Sequence, residues 1–103
     1  MSYSKESISR TTDMAALRTT IDQLDADLVS LLELRFQCME AAARIKETRD
    51  AVRDEKRKAE VLENVKKLAS EAGIPSPSVA AMWEILIETS ISYEFQKWGD
   101  LRE

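Results

Sequence analysis

No glycine or proline occurs between Asp13 and Thr48, and over that stretch apolar residues recur every three or four positions: Leu17, Ile21, Leu24, Leu28 and Leu31, then Cys38, Ala42 and Ile45. Alternating spacings of four and three are the signature of a helix with one apolar seam. Thr12 and Asp13 are both suitable N-caps for its start. The spacing therefore predicts one helix of roughly 35 residues, about 50 Å long at ~1.5 Å per residue. A folded chain of 103 residues has a radius of gyration of about 13 Å, and so a diameter of about 33 Å. The helix overshoots such a body, and the simplest surface to receive its projecting seam is a second copy of itself.

The rest of the chain also reads as helix. Residues 1–12 are rich in Ser and Thr without periodicity and are expected to form a disordered tail, leaving a helical domain over 13–100. Polar residues from Glu47 to Arg53 break the pattern and predict a loop. Asp54 is positioned to cap a second helix with a seam of Val61, Val65, Leu68 and Ala72, flanked by Leu62 and Ala69. Gly73 and Pro75 end it. Ser76 and Pro77 open a third helix running to about Trp98, whose apolar face carries Val79, Met82, Trp83, Leu86, Ile87, Ile91, Phe95 and Trp98. The expected fold is all-α, with three helices per chain in an intertwined homodimer.

Several classes of chemistry are excluded by what is missing. The chain has no His and one Cys, so histidine-based triads, histidine metal sites and thiolate zinc clusters are ruled out. Two isolated glycines cannot build a phosphate-binding loop. A net charge of −4, with the basic run Arg53–Lys58 interrupted by Asp54 and Glu55, does not make a nucleic-acid footprint. No apolar run is long enough for a membrane span, and the polar N-terminus lacks the apolar core of a secretory signal. A reducing cytoplasm is the expected setting. Cys38 is expected to be a buried small apolar residue, and Met39, Met82, Trp83 and Phe95 are expected in the core.

Charges fall where apolar residues belong. Arg35 takes the seam position skipped by the first helix, and Arg57 lies one turn before Val61. Trp83, Ile87, Ser90 and Glu94 share a row on the third helix, while Arg18 follows Leu17 and Lys46 follows Ile45. An unpartnered buried charge costs several kcal/mol, so inward charges on three helices need a reason. Two readings fit. One is a structural ion network, with Arg35 or Arg57 paired to Glu94 or Asp25. The other is a polar pocket for an anionic ligand inside a helical bundle. Guanidinium forks suit carboxylates, and phosphate fits the pattern equally well.

Taken in order, LRTTIDQLDADLVSLLELR (Leu17 to Arg35), ARIKE (Ala43 to Glu47), VRDEKR (Val52 to Arg57) and IETSISYE (Ile87 to Glu94) resemble the all-α chorismate mutase family. The resemblance spans about Asp13 to Trp98. It implies a helix-swapped homodimer with two sites, each lined by both chains, and a place in aromatic amino-acid biosynthesis from the shikimate pathway. By position, Arg18 matches the arginine donated to the partner's site. Arg35 and Arg57 match the other carboxylate-binding arginines. Lys46 matches the lysine on a substrate carboxylate and the ether oxygen. Asp54 matches a loop residue near the substrate hydroxyl, Ser90 a small polar residue facing a carboxylate, and Glu94 the residue facing the ether oxygen, often Gln. The implied reaction is the pericyclic rearrangement of chorismate to prephenate, which needs no nucleophile, metal or cofactor. Lys46, Glu94 and Arg35 would be the catalytic set: clamped carboxylates fold the substrate, and donors at the ether oxygen stabilise the charge that builds there.

Two positions depart from the family pattern. An ionised Glu94 cannot donate a hydrogen bond to the ether oxygen, so activity is expected to fall as pH rises and Glu94 loses its proton. Lys58 stands where many family members carry Glu against the ring hydroxyl. It either points to solvent or marks a different preferred substrate. Three other functions therefore stay open: an isochorismate-pyruvate lyase on the same scaffold, a mutase for 4-amino-4-deoxychorismate, and a non-catalytic helical dimerisation module. No aromatic amino-acid effector is expected to change the rate.

Overall fold

The computed structural model describes residues 3–103; the first two residues of the expected tail lie outside the described residues. No strand occurs among them. Four α-helices follow one another, one more than expected: α1 (Lys5–Ser9), α2 (Met14–Ile45), α3 (Glu55–Ala72) and α4 (Ser76–Asp100), with a 3-10 turn at Arg49–Val52 between α2 and α3. The additional helix is α1. Ser4 caps it by accepting from the Ser7 backbone N–H, and the Ser7 hydroxyl accepts from the Ser4 N–H in return. A serine replaces the usual Glu or Gln in this capping box, so the pattern is easily overlooked.

The described residues fall into two compact units that divide after Arg35. In the first unit, Asp13 starts α2 by accepting from the N–H groups of Ala15 and Ala16 at 3.3 and 3.2 Å, satisfying two of the donors every helix start leaves open. Tyr3 donates its hydroxyl hydrogen to Asp27 at 2.6 Å, and this contact with the carboxylate holds the phenol pKa above its ordinary value. Much of the expected seam is uncovered in the single chain. Ile21, Leu28 and Leu31 are exposed, as are Met14, Val29 and Leu34 beside them.

The second unit runs from Phe36 onward and is centred on α4. The end of α2 docks there through an edge-on contact of the Phe36 and Tyr93 rings, 5.0 Å between centroids. α3 and the 3-10 turn also pack on α4. Asp54 caps α3 by accepting from the Arg57 N–H at 3.0 Å. Gly73, at φ 74, ends it in the left-handed conformation that only glycine adopts without strain. The buried apolar residues are few: Ala43, Val52, Ala69 and Ile87, and no large side chain is fully buried among the described residues.

Some expected core positions differ. Cys38 is exposed, because none of the described residues covers α2 at that point. Met82 is exposed as well, and Met39 is half-buried. On α3, Leu68 and Ala72 face solvent, and the covered row is Lys58, Val61, Leu62, Val65 and Ala69. The row steps back from Leu62 by four to Lys58, not from Val61 by four to Arg57. A period of 3.6 residues allows either step, and packing against α4 selects the first. No helix among the described residues is long and apolar enough to cross a membrane.

Candidate active site

Lys46 is the first residue beyond α2, and its N–H still closes a helical turn onto the Ala42 carbonyl at 2.9 Å. Its side chain reaches α4. Nζ donates to Glu94 Oε2 at 2.7 Å and to the buried Val52 carbonyl at 3.3 Å. Glu94 is 3% exposed, whereas the Lys46 side chain keeps 28% of its surface open. A carboxylate this deeply covered is tolerated because an ammonium neutralises it in contact. Ser90 lies one turn earlier on the same row of α4, is equally buried, and donates its hydroxyl hydrogen to the Leu86 carbonyl at 2.7 Å. Ser90 and Glu94 are thus two buried polar residues one turn apart on α4, and Lys46, 48 residues before Glu94, reaches the second of them.

The remaining candidates are arranged differently. Asp54 is engaged as the cap of α3. Arg57 is exposed, and its guanidinium is 3.6 Å from Glu60 one turn along α3. The inward cation of α3 is Lys58, which donates to Glu84 at 2.6 Å and Glu88 at 2.9 Å. Lys58 therefore points neither to open solvent nor to Glu94. Glu88 also accepts a two-pronged contact from Arg53, at 2.7 and 3.1 Å. The Arg53 guanidinium, followed by Lys58, pulls the Glu88 carboxyl down to about 2. Glu88 in turn raises the pKa of Arg53, while Glu84, followed by Glu88, raises that of Lys58. Arg18 and Arg35 belong to the first unit, where Arg18 is exposed on α2 and Arg35 is half-buried.

Two residues at the end of α4 escaped the sequence reading of the site. Trp98 donates its indole N–H to the Lys46 carbonyl at 3.0 Å. Arg102 donates to the same carbonyl at 2.7 Å and to that of Ala43 at 3.1 Å. Only the basic character of Arg102 hinted at this, since cations suit helix C-termini. A separate surface recess of about 220 Å³, lined by Glu40, Arg44, Lys97, Asp100 and Leu101, is smaller than the ~300 Å³ at which ligand pockets begin. It contains none of the candidate residues. Among the described residues no group of His, Cys, Asp or Glu is arranged to hold a metal ion.

A cation held against a buried carboxylate, open on one side, can present positive charge to an anionic ligand without a nucleophile or a metal. Residues 17–95 match the chorismate mutase type II family. An isochorismate pyruvate lyase of Pseudomonas aeruginosa is 30% identical over 91 residues, covering 88% of this chain and 90% of that protein.

Proposed function

The chain belongs to the chorismate mutase type II family, and on that footing we propose that it converts chorismate to prephenate. The observation that carries this reading is the Lys46–Glu94 pair, 2.7 Å apart, with the ammonium partly open. In the transition state the C–O bond of the ether breaks while a C–C bond forms, and negative charge gathers on the ether oxygen. A fixed ammonium stabilises that charge more than it stabilises the substrate, which is the condition for catalysis. In this reading Arg18, Arg35 and Arg57 clamp the two substrate carboxylates, Arg57 exchanging its 3.6 Å contact with Glu60 for the substrate, so that the enolpyruvyl arm folds over the ring. Ser90 supports one carboxylate, and Asp54 lies near the ring hydroxyl. Glu94, when protonated, donates the second hydrogen bond to the ether oxygen.

The functional unit in this reading is a homodimer in which Arg18 serves the partner's site. The uncovered apolar residues of α2, among them Ile21, Leu28, Leu31 and Leu34, support it: so many large exposed side chains on one helix mark a surface meant for a partner. This reading carries with it a cytoplasmic setting and a role in chorismate-derived aromatic metabolism.

A second reading is favoured by the lyase from Pseudomonas aeruginosa. The same carboxylate clamp would hold isochorismate, and elimination would release pyruvate and leave salicylate. Measuring kcat/KM for chorismate and isochorismate side by side separates the two. A higher value for chorismate, with prephenate as product, supports the mutase; a higher value for isochorismate, with salicylate and pyruvate as products, replaces it by the lyase.

A further inference from the structure

We propose that Trp98 and Arg102 are positioning residues for the Lys46 ammonium, acting through the Lys46 main-chain carbonyl. Both follow the family-matched stretch, which ends at residue 95. The activity part of the test rests on the mutase reading; the geometry does not.

The last carbonyls of a helix have no partner within it. At the end of α2 and the residue after it, those of Ala43 and Lys46 are taken up by Trp98 of α4 and by Arg102, two residues past its end. The Arg102 guanidinium forks across them at 3.1 and 2.7 Å, and the Trp98 indole adds a bond to Lys46 at 3.0 Å. Both lone pairs of the Lys46 carbonyl are thereby used. The fork is itself held: it lies 4.1 Å over the Trp98 ring and donates to the Trp98 carbonyl at 3.1 Å. Its charge also meets the negative end of the α2 dipole.

Ser90, Glu94, Trp98 and Arg102 follow one another at intervals of four residues. Through Asp100 they ride one face of α4. Lys46 is consequently tied to a single row at both ends, its ammonium to Glu94 and its carbonyl to Trp98 and Arg102. A lysine side chain has four rotatable bonds and reaches many positions when its backbone drifts. Anchoring the carbonyl to the same rigid helix that receives the ammonium fixes the distance between the two ends. Misplacement of a reacting group by about 1 Å costs up to about 100-fold in rate, so this anchor is expected to be felt in turnover.

The test uses Trp98→Phe, which keeps the ring but removes the N–H, and Arg102→Ala, with Arg102→Lys as the conservative variant. Three quantities are read: the Lys46 carbonyl ¹³C shift, the order parameter of the Lys46 ¹⁵Nζ, and the kinetics with chorismate. The expected result is a moved carbonyl shift, a lowered Nζ order parameter, and kcat reduced about tenfold with KM changed less than about twofold, with partial recovery in Arg102→Lys. If the carbonyl shift moves and stability drops but Nζ order and kcat stay at wild-type values, the residues are only a helix cap and the proposal is overturned. An unmoved carbonyl shift overturns it too. Should the wild type fail to turn over chorismate, the mutase reading falls, and the Nζ order parameter alone decides this proposal. Trp98→Phe, the milder change, keeps the test usable if Arg102→Ala does not fold.

Discussion

Lys46 Nζ and Glu94 Oε2 are 2.7 Å apart across 48 residues of sequence, and the carboxylate is almost wholly covered while the ammonium is partly open. The pair joins the end of α2 to the C-terminal third of α4. It is a structural contact and, in the proposed mechanism, the electrostatic centre of catalysis. These two roles make separable predictions.

Removing the cation alone strands a buried charge. Lys46→Met is expected to cost about 3 kcal/mol in stability, whereas Lys46→Met combined with Glu94→Gln recovers most of that loss. Denaturant titration of the two single variants and the double variant measures the coupling. Additive losses would mean the contact contributes little.

Glu94 is expected to act as a donor to the ether oxygen. Gln presents an N–H from the same position, so Glu94→Gln is expected to keep kcat, whereas Glu94→Ala, which cannot donate, is expected to lower it by about 100-fold. Equal kcat in Glu94→Ala and wild type would remove Glu94 from the mechanism.

Stability has its own pH dependence, centred on Glu88. Its folded pKa lies at about 2, below the ordinary 4.5. A depressed carboxyl contributes stability that is complete above its unfolded value and is lost as pH falls through the folded one. The Arg53–Glu88–Lys58 contribution should therefore fade between about pH 4.5 and pH 2. Because the Arg53 and Glu88 side chains are 40% and 41% exposed, the effect should be small and should shrink with added salt. Glu88→Gln should flatten that limb of a melting-temperature profile relative to wild type.

Asp54 separates capping from substrate contact. Asp54→Ala is expected to lose about 1 kcal/mol as α3 loses its cap, and Asp54→Asn almost none. If Asp54 also meets the substrate hydroxyl, Asp54→Asn folds normally yet loses activity. Full activity in Asp54→Asn would reduce this residue to a helix cap.

The shared site can be tested by mixing. Arg18→Ala and Arg57→Ala should each be nearly inactive alone. After subunit exchange, half the dimers are mixed and each carries one intact site, so about a quarter of wild-type activity should return if Arg18 acts in the partner. No recovery, with exchange verified by mass, would mean that Arg18 serves its own chain or no site at all.

Much of this was legible in the sequence for local reasons. The unbroken run after Asp13, the caps at Asp13 and Asp54, and the stop at Gly73 depend on neighbouring residues alone, and all four occur in the structure. The row carrying Ser90 and Glu94 was readable from helical spacing, as was the oddity of a charge at Lys46. What escaped depends on partners distant in sequence. Nothing local ties Trp98 and Arg102 to a carbonyl 52 and 56 residues away. The choice of Lys58 over Arg57 as the inward cation was decided by packing on α4, where a 3.6-residue period leaves two adjacent positions equivalent. Cys38 and Leu68 looked buried because an apolar seam signals burial without saying which molecule supplies the cover.

The central claim is that a fixed Lys46 ammonium rearranges chorismate, and ¹H NMR of chorismate incubated with wild type and with Lys46→Met tests it most directly. Prephenate should accumulate with wild type, while Lys46→Met should stay near the uncatalysed rate despite retaining its helical circular dichroism. No prephenate from the wild type, or equal rates from the two proteins, would contradict the account.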